Sequence, residues 1–486
     1  MVLVAALAAL PAVVSVQAPF NSSDEALLVL YGEEFMAGRV PGADFFTVYG
    51  PGGFATLAGA FQLFGVSVLV ERLVGLGYRI AVVTGVMFLA ERHGLRASVV
   101  AGLVSSVVLL PSGLTAYAWF GGLALVIWSL GLLERPRRGT ALLAGVLAGL
   151  ASAWRIEMVV LNAAALPLIW RERRAASYLA GLVLGSLPTL VWLAYVGRVA
   201  IENVFVSRMA INAQLSLSEV PFPVWLMLGL AVVFTGFVLV QGCIRRNREL
   251  LALGLLSLLI LPQAMQRIDL DHQVFALCVI LPIGVICAGS LGLMPAGPNV
   301  ARWQIVATRS MAGVVVLVLV FPVGVSIAMT TPVTVVSHEG RAVPIASENA
   351  GDLDRLLDEV SRRVPKGSKL FVGALDMSVP TLTEIRFYHL LREYEHPWFY
   401  LELPPGVAEI RGSPLADAVN EADALVLTDV PDDLNQTLFP HIPPGSDEVN
   451  RIVEEQFCLV GQVGINGIYL RCSHGQGRVT RLAPGE

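Results

Sequence analysis

The chain has 486 residues, of which 55% are hydrophobic and 15% charged, against roughly 25% charged in soluble domains; that excludes an ordinary globular enzyme. Residues 1–330 hold 20 Lys+Arg and 15 Asp+Glu, a net +5, while residues 331–486 hold 13 and 23, a net −10. The acidic tail excludes a nucleic-acid partner, whose phosphates call for a basic surface.

The break in composition near residue 330 predicts a polytopic membrane domain over 1–330, then a separate soluble domain. Lysine occurs only at Lys366 and Lys369; arginine does the rest, and with abundant Ala, Val, Leu and Gly this is the composition of a high-GC bacterial genome. No Cys/His cluster has metal-ligand spacing, and no GxxxxGK loop cradles a phosphate.

A helical span needs about 20 largely apolar residues, with about 17 as the lower limit. In chain order the candidates are 2–18, 72–91, 97–113, 116–133, 140–154, 157–170, 176–196, 222–242, 249–263, 273–292 and 310–329, eleven in all. The pair 140–154 and 157–170 is short for a transmembrane hairpin. Arginine sets the orientation. Arg92 and Arg96; Arg135, Arg137 and Arg138; Arg171, Arg173 and Arg174; Arg245, Arg246 and Arg248; and Arg302 and Arg309 all fall on one side if the spans alternate. The positive-inside rule makes that side cytoplasmic, so the tail is expected outside. Nothing basic precedes the first apolar stretch, as a signal peptide would require; a missing or misannotated start would account for this. The run Pro51–Gly65 is too short to span and is expected to lie at the interface, which leaves 19–70 outside.

That first outside loop begins Asn21-Ser22-Ser23-Asp24-Glu25. Ser22 and Glu25 have the spacing of a capping box and predict a helix start. Asp24 falls in the first turn, where the helix dipole favours an ionised carboxylate, the form a general base or metal ligand needs. Equally, the pair is ordinary decoration of a helix start. The loop continues Gly38-Arg39-Val40-Pro41-Gly42-Ala43-Asp44-Phe45, then Tyr49-Gly50-Pro51-Gly52, which places Asp44 on a turn.

An Asp-Glu pair after the first span, a helix, a G-x-x-P-x-x-D-F stretch and a Tyr-Gly-Pro entering an apolar helix together resemble the GT-C glycosyltransferases. The nearest groups are the protein O-mannosyltransferases and the lipid A aminoarabinose transferases. The resemblance implies a polyprenyl-phosphate sugar donor and an envelope acceptor (glycan, lipid or protein). It makes Asp24 the catalytic carboxylate, with Glu25 beside it as a substrate-binding residue and Asp44 as a second loop acid. The chemistry is consistent: a sugar phosphoester has a good leaving group, so the enzyme must deprotonate an acceptor hydroxyl and steady the departing phosphate.

Charges in or near spans are costly and mark functional positions. At the tip Trp154-Arg155-Ile156-Glu157, Arg155 is a candidate for the carrier phosphate and Glu157 for its orientation; a plain polar turn is the alternative. The stretch Arg267-Ile268-Asp269-Leu270-Asp271-His272 matches an R-x-D-x-x-H seen in bacterial relatives at Arg267, Asp269 and His272. Arg267 brings a forked phosphate donor, and His272 a second donor or proton shuttle. A divalent metal on Asp269, Asp271 and His272 lacks a further ligand. The loop 198–220 is a third candidate, to close over an acceptor. Glu71 and Arg72 are expected as interfacial anchors, while Arg79 lies deeper and calls for a partner.

Residues 331–350 read as a linker and 476–486 as a tail. Between them, 351–475 is expected to be a small extracytoplasmic α/β domain that caps the membrane site or binds the acceptor. Helices are predicted at 352–363, 384–393, 415–419 and 448–455, and strands at 369–372, 398–401, 424–428, 457–463 and 468–472. Cys458 and Cys472 are each seven residues from Ile465. A hairpin turning there would oppose them, whereas a turn at Asn466-Gly467 would not. Other readings of the whole are a transporter or flippase and a non-catalytic envelope assembly protein.

Overall fold

The structure, a computed structural model, describes residues 18–20, 24–45, 47–135, 138–170, 172, 174–202, 204, 222–266, 268, 270–291, 332–375, 389–396, 414–429 and 448–472. The expected spans 2–18 and 310–329, most of the 198–220 loop, 384–388, 398–401 and the tail 476–486 lie outside them.

The first part is helical: α1 (Asp24–Met36), α2 (Pro51–Phe64), α3 (Val68–Ala90), α4 (Leu95–Val108), α5 (Ala118–Leu133), α6 (Arg138–Ala151), α7 (Ala175–Val196), α8 (Phe222–Arg245), α9 (Arg248–Gln266) and α10 (Leu270–Ser290). Among the described residues, five helices are long and apolar enough to cross a membrane: Val68–His93, α7, α8, Arg248–Met265 and His272–Ser290. Four further apolar segments are shorter, so of the nine expected spans that fall within the described residues five are long and apolar enough to cross, and the count of eleven is not confirmed. The expected span at 157–170 is broken into two four-residue helical turns, Met158–Leu161 and Leu166–Ile169, around the 3-10 turn Asn162–Ala165. Pro167 fits only the start of the second turn, where no amide is needed.

Glycine decides which helices pair. Gly145 and Gly149 on α6 face Gly181 and Gly185 on α7, and a Cβ on any of the four would strike the opposite backbone. Two four-residue glycine repeats thus bring the helix axes together, the packing that apolar bundles use where no hydrophobic force distinguishes lipid from protein.

Arginine connections gather at one end of the bundle. Arg135 pairs with Glu91 at 2.9 Å, His93 with Glu249 at 2.7 Å and Arg248 with Glu172 at 3.1 Å. Arg174 Nη1 donates to the Arg135 carbonyl at 2.6 Å. Four of the five connections expected on one face are therefore cross-linked there; Arg302 and Arg309, in the fifth, lie outside the described residues.

The stretch expected as a linker is instead a β-hairpin, β1 (Val333–His338) with β2 (Arg341–Ala346). Glu339 and Gly340 both take positive φ, +47° and +79°, as a two-residue primed turn requires. After α11 (Ser347–Arg363) come β3 (Leu370–Ala374), α12 (Pro414–Glu421), β4 (Ala424–Thr428), α13 (Glu448–Gln456), β5 (Phe457–Val463) and β6 (Asn466–Arg471). The sheet order is β3-β4-β6-β5, with β3 and β4 parallel and the rest antiparallel. The chain turns at Gly464-Ile465, with Val463 opposite Asn466. Cys458 and Cys472 become neighbours, Cα–Cα 5.1 Å, and form a disulfide.

The hairpin and the α/β domain dock on α1. Phe20 N donates to the Pro344 carbonyl at 2.6 Å. Glu33, 4% exposed, accepts from Arg341 and from Arg392 Nε at 3.0 Å, and His389 Nδ1 lies 3.6 Å from it. Glu34, also buried, meets Arg39 at 2.8 Å and Arg392 at 3.3 Å. Burial pushes the Glu33 carboxyl up, but the hydrogen bonds from His389 and Arg341 and the charges of Arg341 and Arg392 outweigh it and hold the group below its usual 4.5. Burial dominates at Glu34, which is raised.

Two outcomes are expected. Gly149→Leu or Gly181→Leu should lower the thermal midpoint in detergent, by about 1–3 kcal/mol or more of overpacking. Gly229→Leu, on α8 with nothing within 4 Å of its Cβ, should stay within about 0.5 kcal/mol. A carboxylate lowered in the folded state gives stability that is present above its unfolded value, 4.5, and lost as pH falls through the folded value. Protection of the 333–346 amides against hydrogen exchange, relative to their intrinsic rates at each pH, should therefore stay high near neutrality and fall on acidification below that range. Glu34 titrates with the opposite sign, so Glu33→Gln, not Glu34→Gln, should remove this acid sensitivity.

Candidate functional site

Asp24 opens α1, half-buried, and its Oδ2 accepts from the Tyr117 hydroxyl at 3.2 Å. Glu25 follows it on the helix but projects about 100° away. It is 2% exposed and engages Arg72 through both oxygens, at 2.6 and 3.0 Å. The adjacent acids thus have different partners: Asp24 meets a phenol, Glu25 a guanidinium. Arg72 and Glu71 were expected as interfacial anchors, yet both are buried, at 4% and 0% exposure. Glu71 Oε1 accepts from Ala116 N at 2.5 Å. The reason is helix phase: both lie on the side of α3 turned into the bundle, while Leu69 and Leu73 beside them are exposed.

The Tyr49-Gly50-Pro51-Gly52 entry to α2 packs on the 152–154 turn. Gly50 N donates to the Trp154 carbonyl at 3.1 Å and Gly52 N to that of Ala153 at 2.7 Å. A Cβ at Gly50 would strike the Ala153 carbonyl, and one at Gly52 would lie 2.7 Å from the Trp154 ring; glycine is what permits the approach. Trp154 Nε1 in turn donates to the Tyr78 hydroxyl at 2.9 Å.

This docking sets Arg155 in place. It is 3% exposed, with Nε and Nη2 donating to Glu157 Oε1 at 3.0 and 2.5 Å. Its guanidinium carbon lies 5.0 Å from the Trp119 ring centre and 5.8 Å from that of Tyr49, within cation–π range. Nη2 also reaches Gln263 Oε1 at 3.5 Å. The expected pair Arg155–Glu157 is thus formed, and its cation is walled by aromatic faces.

His272, half-buried at the start of α10, has its ring 5.5 Å from Phe275. Phe275 lies 5.2 Å from Tyr117 and 5.1 Å from Phe120, and its carbonyl accepts from Trp119 Nε1 at 3.0 Å. One aromatic collar, built at the start of α5, therefore touches Asp24 through Tyr117, Arg155 through Trp119 and His272 through Phe275. Tyr117, Trp119 and Gln263 were not singled out in the sequence; their only signal was aromatic and amide side chains at span ends on the same side as Asp24.

Asp44 stands apart. It is exposed, and its Oδ2 accepts from Val40 N at 2.6 Å, closing a turn that Trp192 Nε1 pins through the Pro41 carbonyl at 2.8 Å. Arg267, Asp269 and the side chain of Asp271 lie outside the described residues. Among those described, no group of three or more His, Cys, Asp or Glu is placed to hold a metal ion.

Against the turn that carries Arg155 lies an apolar groove of about 650 Å³. Phe35 on α1, Pro51 and Thr56 on α2, Val191 and Trp192 on α7, and Trp154 line it. Trp154 thus belongs both to this groove and to the turn that carries Arg155.

No family model matches the sequence, and no curated protein matches it. Solved structures do match. The chain is similar to ArnT from Cupriavidus metallidurans bound to undecaprenyl phosphate, with a TM-score of 0.59 and 14% identity over 98% of each chain. It is similar to the same protein in the apo state, again with a TM-score of 0.59 and 14% identity, over 96% of this chain and 97% of that one. At that identity the likeness concerns the fold: the protein is a membrane protein with an ArnT-like, GT-C architecture across nearly its whole length, as the resemblance in the first loop implied.

Proposed function

We propose that this protein is a membrane glycosyltransferase that moves a sugar from a polyprenyl-phosphate donor to an envelope acceptor on the extracytoplasmic side. The observation that carries this reading is the convergence of Asp24, the Arg155–Glu157 pair and His272 on one collar, with an apolar groove against the turn that carries Arg155. The shared fold supports it, since one of the ArnT structures holds undecaprenyl phosphate.

In this reading Asp24 accepts the proton of the acceptor hydroxyl as its oxygen attacks the anomeric carbon. The bond from that carbon to the phosphate oxygen breaks, and polyprenyl phosphate leaves with the negative charge. Arg155, already fixed by Glu157 and the aromatic faces, holds that charge without reorganising, and His272 and Arg267 add donors. Glu25, through Arg72, fixes the start of α1, and Asp44 shapes the loop at the acceptor side. The first isoprene units lie in the groove beside Trp154. A disulfide in the α/β domain favours an oxidising compartment, in line with a domain outside the cytoplasm.

Purified protein in nanodiscs, given a panel of polyprenyl-phosphate donors with labelled sugars, should form a labelled glycosidic product. Asp24→Asn should lower its rate by about 10²–10⁴-fold, the usual contribution of a general base. Full transfer by that variant would remove Asp24 as the base. Sugar accumulating inside proteoliposomes without any new glycosidic bond would point to transport instead.

A further inference from the structure

We infer that Arg79, buried inside α3, is a positioning residue that holds Tyr117 against Asp24; the inference rests on Asp24 acting as proposed above. Arg79 is 0% exposed. Its Nη1 donates to the carbonyls of Gly75 at 3.0 Å and Thr115 at 2.9 Å. Its Nη2 donates to the Ser112 carbonyl at 2.9 Å and the Ser112 hydroxyl at 3.2 Å, and its guanidinium carbon lies 4.8 Å from the Phe120 ring centre. Apart from the bond to its own helix and the Phe120 ring on α5, these contacts hold the segment between α4 and α5.

That segment, residues 109–117, is a weak point of the bundle. It runs as a 3-10 turn at Leu110–Ser112, a Gly113 at φ +59° and an extended piece to Tyr117, whose φ and ψ are −52° and 125°. Irregular backbone between apolar helices must have its polar groups paired inside the protein. Helix α3 supplies the pairing from one stripe. Glu71, Gly75 and Arg79 are four residues apart, so they share a face. Glu71 takes the Ala116 amide, and Arg79 takes the Ser112 and Thr115 carbonyls. Between them Gly75 lies against the Leu114 carbonyl, where a Cβ would collide.

The consequence reaches the site in one step. Tyr117 keeps an extended backbone only while the carbonyls before it are held outside a helical pattern. Without the Arg79 fork, α5 can wind back through Tyr117 and satisfy its own backbone, and the phenol then swings off Asp24. Arg79 thus acts through Tyr117, and its fork rather than its charge alone does the work. Lysine, a point donor, replaces only part of this function.

The test combines an activity-free readout with kinetics on the full-length protein in nanodiscs. In Arg79→Gln, hydrogen exchange should rise over 109–117 and over 24–31 while the α6–α7 peptides stay as in the wild type. Transfer should fall by on the order of 10²-fold, as a displaced catalytic contact does, in kcat and with little change in KM for the carrier. Tyr117→Phe should fall similarly, and the double variant Arg79→Gln/Tyr117→Phe should be no slower than the worse single one, because both remove the same contact. Arg79→Lys should recover part of the rate. Exchange rising across the whole bundle, or single effects that multiply in the double variant, would overturn the inference. Should the wild type transfer no sugar from any donor, the functional reading fails, and localised or global exchange in Arg79→Gln still decides the loop restraint.

Discussion

Everything at this site hangs on the pairing of polar groups inside an apolar bundle, and most of that pairing comes from α3. A charge at the centre of a membrane helix costs roughly 2.5–3.5 kcal/mol on insertion scales, so it persists only where its bonds replace water. Arg72 meets Glu25, Tyr78 meets Trp154, and Glu71 and Arg79 meet the 109–117 segment. Each of these partners belongs to a piece of chain that carries a site residue: the start of α1, the 152–157 turn and the entry to α5. One helix therefore sets the relative positions of three elements distant in sequence, and the aromatic collar fills the space between them.

Helix α1 is held from both ends by different means. At its start Glu25 is bound into the bundle; near its end Glu33 and Glu34 are bound by Arg341 and Arg392 of the second domain. With only 13 residues and little exposed surface, it has no room to move independently of either neighbour. The second domain thus restrains the element that carries Asp24 without itself reaching the collar through any described contact, a role more intimate than a cap over the site.

The sequence made the apolar segments and the one-sided arginines legible because lipid forces both into composition. It also made the α/β alternation legible, since strands and amphipathic helices have distinct periods. Three features were not legible, each for a physical reason. The β1–β2 hairpin looks like a linker because Pro344 interrupts its second strand, and only the positive φ at Glu339 and Gly340 commits the turn. Glu71 and Arg72 look like anchors because hydropathy records that a charge is near a span end but not which way the helix faces. The 157–170 stretch is apolar but short, and it changes to a 3-10 turn at Asn162–Ala165, where Asn162 donates to the Ala148 carbonyl at 2.9 Å, a change of helix type that composition does not record. The glycine repeats on α6 and α7 were readable in principle, as small residues at four-residue spacing, but pairing them needs the partner helix.

The candidate site was legible as a set of residues and not as a geometry. Arg155, Glu157 and His272 stood out because each is a polar group in or near a span, where lipid should exclude one, and Asp24 because it opens a helix just after the first expected span. What brings them together is a group of residues with no such signal: Tyr117 and Trp119 read as span-end aromatics, and Gly50 and Gly52 as ordinary breakers. The distinction follows from energetics. A charge in an apolar span is conspicuous because its desolvation must be offset, whereas an aromatic ring or a glycine is at home there and reveals its purpose only through the surface it meets. Glu25 shows the converse. It is as conspicuous as Asp24 in the sequence, yet the rotation of one residue along α1 sends it to Arg72, so conspicuous charge marks the neighbourhood of a site and helix phase decides which charge faces into it.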